Sequence, residues 1–150
     1  MAFTKIVRVE IAAHAHATED PARVEQALLN IVPEKLRPRL RIEKTVLEGH
    51  YNNPITRIVA RLDGKDAEEF VKEFASMLNE QDKKILTMIV ESRYDEKSGR
   101  LFLRFSKQDA YRGEIRLHDG DDVVHVVIQL RGAPKLGKAM KILQEVGLLD

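Results

Sequence analysis

Side chains that can bind an anion, a base edge or a ring face lie close together in the sequence GRLFLRFSKQDAYRGEIRL, residues 99–117. They are Arg100, Arg104, Lys107, Gln108, Tyr111, Arg112 and Arg116. An arginine guanidinium binds phosphate through two parallel hydrogen bonds, and a glutamine amide can bond to a base edge. Phe102 shares a predicted strand face with Arg100 and Arg104, and such a ring can stack on a base. The segment predicts a nucleic-acid surface, although arginines on an edge strand can equally keep it soluble.

Histidines form a second group with possible chemistry. His14 and His16 share one face of the first predicted strand, and His50 follows Glu48 closely in the sequence. Two imidazoles two apart on a strand can chelate a metal ion, and His50 with Glu48 could complete a zinc site. No spacing rule joins His50 to the pair, and the histidines can equally be polar residues on a sheet face that helices leave uncovered. Such a face could contact phosphate, so we predict no metal and no cofactor.

The segment GAPKLGKA, residues 132–139, nearly fits the phosphate-binding loop of nucleotide-binding proteins. Ala139 stands where a Ser or Thr hydroxyl would hold Mg²⁺, and Pro134 removes a backbone N–H that would cradle phosphate. The chain that follows is too short to add a parallel strand with an acidic metal ligand. The segment therefore predicts a strand-to-helix connection, and an enzyme that uses Lys138 on a nucleotide is disfavoured.

The elements that must position these residues follow from hydrophobic periodicity. Alternating apolar residues predict strands at 4–17, 40–48, 55–62, 100–105 and 123–130. Asn52, Asn53 and Pro54 have turn chemistry and join the second and third strands as a hairpin. Helical spacing predicts helices at 18–32, capped by Thr18, and at 63–80, 82–91 and 134–146. A short helical piece at 107–112 and a brief strand in GEIRL complete the set.

This order of elements predicts an α+β fold with two layers, in which helices pack on one face of a mixed, mostly antiparallel sheet. The length of 150 residues suits one domain, which we place at residues 1–150. The net charge of +1 gives no global basic field, so any RNA contact depends on a local patch. The chain has no Cys, its start does not resemble a signal peptide, and no apolar run is long enough to span a membrane. We expect a cytoplasmic protein.

Three blocks of the sequence resemble the signatures of an archaeal family of small RNA-binding proteins, a family also described as a predicted exosome subunit. They are AHAHATED after the first strand, LEGHYNNPI at the hairpin and GRLFLRFSKQDAYRGEIRL. The resemblance covers most of the chain and implies a fold similar to the large-subunit ribosomal protein that binds 5S RNA. It brings no catalytic residues. Within the blocks, the residues carried over are His14, His16, His50, Asn52, Asn53, Arg104, Lys107, Gln108, Tyr111 and Arg112.

We therefore expect a non-enzymatic RNA-binding protein, an accessory factor in archaeal RNA processing or ribosome-related RNA metabolism. The expected RNA surface joins the residues around Lys107 to His50, Asn52 and Asn53, side by side and facing water. Structured RNA is favoured over a sequence-specific single strand, because the chain has no RNP-type aromatic motif and no GXXG loop. Two alternatives stay open. One is a module that docks on exosome or ribosomal proteins through the same arginines, and the other is a metal- or nucleotide-dependent enzyme.

Overall fold

The computed structural model describes residues 4–49 and 53–150. The strands are β1 (Ile6–Ala15), β2 (Arg41–Glu48), β3 (Pro54–Asp63), β4 (Tyr94–Asp95), β5 (Arg100–Ser106) and β6 (Val123–Leu130). The helices are α1 (Pro21–Asn30), α2 (Gly64–Met77), α3 (Glu80–Arg93), α4 (Lys107–Tyr111) and α5 (Leu136–Glu145), with a 3₁₀ helix at Glu34–Arg39. The longer predicted elements are confirmed within a few residues of their predicted bounds. The predicted strand in GEIRL is wrong, because that segment adds one isolated bridge, between Leu117 and Phe105.

The strands form one sheet in the order β2-β3-β1-β6-β5-β4. Neighbouring strands in the described residues all run antiparallel, so the predicted α+β class is confirmed and the predicted mixed sheet is wrong. The central strand β1 lies between β3 and β6 and is antiparallel to both, so it adds no parallel pair to the sheet. Antiparallel sheets can leave one face to solvent, whereas parallel sheets are almost always covered on both faces.

Alternation along the strands separates two faces of the sheet. Val9, Ile11 and Ala13 of β1 are fully buried on the face that packs against the helices. On this face α2 lies across β1 and β3, and the rings of Phe74 and Phe105 meet edge to face with centroids 5.0 Å apart. We call the opposite side the helix-free face. Its residues include Arg8, Glu10, His14, Arg57, Arg61, Arg100, Phe102, Arg104, His125 and Gln129.

Helix α1 is capped at its N-terminus by Asp20. The Asp20 carboxylate accepts a hydrogen bond from the Ala22 N–H at 3.0 Å, and Pro21 occupies the first turn as predicted. The predicted cap at Thr18 is wrong, because Pro21 is the first helical residue and the cap position is the one before it. The predicted buried stripe is confirmed for Val24, Ala27, Leu28 and Ile31. Within the described residues, no helix has the length and apolarity needed to cross a lipid bilayer.

Gly99 makes the tight turn from β4 into β5. Its φ is +72°, and a Cβ there would lie 2.8 Å from Ala133 Cα and 3.0 Å from the carbonyl oxygen of Leu130. We expect Gly99→Ala to lower the free energy of unfolding by about 2 kcal/mol or more, because the positive φ and the backbone contacts both oppose a side chain. Urea denaturation measures the loss.

Gly137 in α5 is the matched control. A Cβ at this position meets nothing within 4 Å, and the residue lies inside a helix. Gly137→Ala should leave stability unchanged or raise it by up to about 1 kcal/mol. If the two alanine variants unfolded at the same urea concentration, the explanation for Gly99 would be wrong.

Candidate nucleic-acid interface

Lys107 lies inside the protein. Its side chain is 1% exposed, and its Nζ donates to the His14 carbonyl oxygen at 3.1 Å and to the Glu19 carboxylate at 3.0 Å. Asp122 pairs with the same ammonium at 2.8 Å. Burial alone would lower the pKa of Lys107, but the hydrogen bonds with Asp122 and Glu19 outweigh it and raise that pKa. The predicted phosphate contact of Lys107 is therefore wrong, because internal acceptors occupy the donors of the ammonium and fix α4 to the end of β1.

The other predicted residues of α4 and its cap also have internal partners. The Gln108 side-chain amide donates to Asp122 at 2.7 Å, and Arg112 forms an ion pair with Asp109. Tyr111 is half-buried, and burial raises the pKa of its hydroxyl. Gln108 and Arg112 are exposed, so their RNA contact stays a prediction. Each of them would have to exchange an internal partner for RNA.

The remaining predicted residues lie on loops. His50 and Asn52 fall outside the described residues. Asn53 is exposed, and its carbonyl oxygen accepts a hydrogen bond from the Gly49 N–H at 2.8 Å. Arg116 is exposed and forms no ion pair with any residue of the described chain. The RNA contacts of Asn53 and Arg116 stay predictions.

The hairpin end of β3 and the start of α4 lie at the same end of the sheet, but not on neighbouring strands. Ala15 pairs with Thr56 across β1 and β3, and Ser106 pairs with Val123 across β5 and β6. Since β1 and β6 lie between β3 and β5, roughly 14 Å separates those two strands. The side-by-side surface expected from the sequence stays a prediction, because His50 and Asn52 of the hairpin tip lie outside the described residues.

Arg100, Phe102 and Arg104 share the helix-free face, as predicted. Leu101 and Leu103 alternate with them and are buried on the opposite face. Phe102 is 44% exposed, and the Arg104 guanidinium donates to a backbone carbonyl at 3.3 Å. This strand therefore presents an aromatic ring between two arginines to solvent, an arrangement that favours contact with nucleic acid.

One half of the helix-free face is neutralised by ion pairs. Arg8 donates to Asp63 at 2.7 Å, and Arg41 binds the same carboxylate. The hydrogen bond from Arg8 lowers the pKa of Asp63. Arg61 pairs with Glu10 at 2.9 Å on the neighbouring strands. Because these arginines already have anionic partners, they contribute little uncompensated positive charge.

The other half carries positive and imidazole side chains without carboxylates. We call Arg57, His14, His125 and Arg104 the Arg–His row, since they follow one another across β3, β1, β6 and β5. His14 pairs across strands with Arg57, and His125 pairs with Arg104. His125 lies directly opposite Ala12, so His14, two residues further along β1, is the diagonal neighbour of His125. Diagonal neighbours on adjacent strands are typically about 7–8 Å apart. In the described part of the chain, no member of the row has a carboxylate partner.

The electrostatics of the row leave both imidazoles uncharged at neutral pH. Burial lowers the pKa of His14, and the positive charge of Arg57 lowers it further. Burial also lowers the pKa of His125, with Arg104 as the next cause. Because a nearby anion favours the protonated form, a bound anion would reverse this effect. The row therefore places two arginine charges beside two uncharged imidazoles.

A groove of about 470 Å³ continues from the row along the helix-free face. Arginines dominate its lining, and Arg57 and Arg100 are lining residues that form no ion pair within the described chain. Val127 and Gln129 of β6 form its floor. The groove joins the two unpaired arginines into one surface.

The alternative sites predicted from sequence are not assembled in the described residues. Across 4–49 and 53–150, no group of three or more His, Asp or Glu side chains is placed to hold a metal ion. His14 is half-buried, His16 is exposed, and His50 lies outside the description. The segment 132–139 joins β6 to α5 as predicted, and the Glu96 carboxylate accepts from the Leu136 N–H at 2.7 Å. A carboxylate thus occupies the helix start that a phosphate would need.

Sequence reasoning missed Arg57 and His125. Both alternate with buried apolar residues, in ITRIVARLD of β3 and in VVHVVIQL of β6, so the period of two places them on the polar face. That signal was present in the sequence. Their position beside His14 and Arg104 depends on the strand order, which no local pattern specifies.

Comparisons with known proteins show which family the chain belongs to. A family model described as RNA binding matches residues 8–130. The RNA-binding protein PAB1135 of Pyrococcus abyssi is 34% identical over 134 residues, which cover 88% of this chain and 86% of that protein. The uncharacterized protein MJ0213 of Methanocaldococcus jannaschii is 29% identical over 124 residues, covering 82% of this chain and 83% of that protein.

Solved structures with a similar fold come from archaea. Protein AF2318 of Archaeoglobus fulgidus superposes with a TM-score of 0.80 at 28% identity, over 95% of this chain and 99% of that one. Mth689 of Methanothermobacter thermautotrophicus superposes with a TM-score of 0.72 at 26% identity, over 99% of this chain and 100% of that one. Both are described as DUF54 proteins. With the family match across residues 8–130, which include the whole Arg–His row, the chain belongs to the RNA-binding family.

Proposed function

We propose that this chain is a non-enzymatic RNA-binding protein whose single domain, residues 1–150, contacts RNA through the helix-free face. The observation that carries the proposal is that, among the described residues, no carboxylate pairs with the Arg–His row, while Arg8 and Arg61 on the same face are paired with acids. Uncompensated arginine is the usual ligand of RNA phosphate, because its planar guanidinium can bond to two phosphate oxygens. Phe102 lies beside this charge and offers a ring on which a base can stack.

Structured RNA fits the helix-free face better than a short single strand. Five neighbouring strands spaced about 4.8 Å apart give a face roughly 20 Å wide, which is comparable with the width of an RNA helix. The positive charges are spread across strands, so they match phosphates distributed over a shape. We extend the proposal to an accessory role in archaeal RNA processing or ribosome-related RNA metabolism in the cytoplasm, with exosome or ribosomal proteins as partners.

Removal of the two arginines of the row tests the proposal. We expect Arg57→Gln with Arg104→Gln to weaken binding of labelled transfer RNA by about tenfold to hundredfold, since two charge-assisted phosphate contacts are lost. The slope of log K against log salt should also decrease in magnitude by up to about 2. Fluorescence anisotropy at several salt concentrations measures both, with unstructured poly(U) as a comparison for RNA shape.

Lys65→Gln with Lys84→Gln is the control. Both lysines are exposed on the helical side, and neither forms an ion pair within the described residues. The control removes the same charge away from the helix-free face, so it should change affinity by less than about threefold. Equal losses in the two double variants would mean that net charge, and not this face, determines binding.

A second candidate is a protein-interaction module, favoured by one apolar pocket. The pocket has a volume of about 230 Å³ and lies at the β5 edge of the helix-free face, where Ile85 and Ile89 of α3 line it together with Phe102. Ile85 and Phe102 are 38% and 44% exposed. A pull-down with and without nuclease separates the candidates, because a partner retained after nuclease treatment supports the module.

A further inference from the structure

His14 and His125 lie at the centre of the Arg–His row, and each is half-buried. Their cross-strand partners are arginines, Arg57 on one side and Arg104 on the other. Because like charges placed directly opposite across strands destabilise a sheet, each arginine opposes protonation of the imidazole that it faces in the free protein. Arg8 and Arg61 on the same face are paired with acids, whereas no described carboxylate pairs with the row, and such a local exception points to a site that receives a ligand.

Within residues 4–49 and 53–150, the side chains whose charges act on the two imidazoles are arginine, lysine and histidine. His16 lies just after the end of β1, Arg57 comes from β3, Arg104 from β5 and Lys107 from α4. Nearby acids have other partners. Glu10 pairs with Arg61 at 2.9 Å, and the carboxylates of Glu19 and Asp122 bind the Lys107 ammonium. The Asp119 carboxylate pairs with Arg93 at 3.2 Å.

We propose that His14 and His125, between Arg57 and Arg104, form the subsite that binds a phosphodiester group of RNA, and that the imidazoles take up protons when the phosphate binds. The proposal rests on the proposed RNA-binding function and specifies where and how the phosphate is held. The arginines approach the phosphate oxygens from the two ends of the row. The protonated imidazoles donate N–H groups from the middle.

The direction of the pH dependence follows from charge. In the free protein, burial and the neighbouring arginines lower the pKa of both imidazoles, so both are neutral at pH 7.5. A phosphodiester carries a negative charge, which raises the imidazole pKa in the complex. Binding therefore takes up protons, and the affinity for RNA increases as the pH falls.

Measurement of transfer RNA binding at pH 7.5 and pH 5.5 tests the subsite. We expect the wild-type affinity to rise by about tenfold or more at the lower pH, and we expect His14→Gln with His125→Gln to abolish most of this rise. Glutamine keeps a polar side chain that does not titrate. The NMR signals of the His14 and His125 rings should shift towards the imidazolium form when RNA is added at pH 7.

His118→Gln is the control, because His118 is exposed and lies outside the row. It should keep the full pH dependence. Binding to wild type that does not depend on pH, or an equal pH dependence in the double variant, would overturn the phosphate subsite while leaving RNA binding intact. Failure of the wild type to bind RNA at either pH would instead overturn the proposed function, and the subsite with it.

Discussion

Lys107→Ala is expected to lower the free energy of unfolding by about 2–4 kcal/mol. The substitution leaves the carboxylates of Glu19 and Asp122 without their shared partner and the His14 carbonyl oxygen without its donor. Breaking a buried pair by removing one partner typically costs about 3–5 kcal/mol, and we reduce this range because Glu19 and Asp122 are 23% and 43% exposed. Urea denaturation followed by circular dichroism measures the loss.

Arg112→Ala on the same short helix is the control. Arg112 is 67% exposed and pairs with Asp109 at the surface, so its loss should change stability by less than about 1 kcal/mol. The comparison separates a structural role of α4 from a role in RNA contact. If Lys107→Ala were as stable as wild type, the ammonium would not hold α4 to the sheet.

The same ion pairs predict how stability depends on pH. Burial alone would raise the pKa of Asp122, but the hydrogen bond from Lys107 lowers it below its ordinary value of 3.8. The contribution of Asp122 to the free energy of unfolding is therefore present above pH 3.8 and is lost as the pH falls through the folded-state pKa of Asp122. Lys107 has a raised pKa, so its contribution is complete below 10.5 and is lost as the pH rises through the folded-state pKa. In Lys107→Ala, the free energy of unfolding should therefore depend less on pH at both the acidic and the alkaline end.

Phe74→Ala is expected to lower the free energy of unfolding by about 3–5 kcal/mol. Phe74 is fully buried and stacks on Phe70 with centroids 5.2 Å apart, while Phe105 of β5 meets it edge to face. Its loss opens a cavity between α2 and the sheet and removes two aromatic contacts. Thermal and urea denaturation both measure the effect.

Phe102→Ala provides a matched comparison on the opposite face. Phe102 is 44% exposed and lies beside the arginines of the helix-free face. Its truncation should change stability by less than about 1.5 kcal/mol but weaken RNA binding, because a stacked base contributes about 1–3 kcal/mol. A Phe102→Ala variant that bound RNA like wild type would remove base stacking from the proposed function.

Local patterns predicted the elements and their faces. The alternation in β1 and β5 placed His14, Arg100 and Arg104 opposite the buried side chains, since successive residues of a strand point to opposite sides. The helical spacing of Phe70 and Phe74 predicted the buried side of α2. The three blocks of sequence indicated the RNA-binding family.

The state of Lys107 could not be predicted in the same way. A lysine in a basic segment favours an exposed position, because burial of an unpaired ammonium is unfavourable. Its partners, Glu19 and Asp122, come from separate loops, and Glu19 is 88 residues away in the sequence. Only the packed chain brings three such residues together.

What the sequence determined by itself is the set of strands and helices, the buried side of each, and the family. What the tertiary structure decided is which charges lie next to one another. The strand order placed β1 and β6 between β3 and β5, so Arg57, His14, His125 and Arg104 became neighbours, while Lys107 was buried with acids. The physical reason is the separation of the interacting residues along the sequence. Hydrophobic periodicity is set by local backbone geometry, whereas charge pairing depends on contacts between residues far apart along the chain.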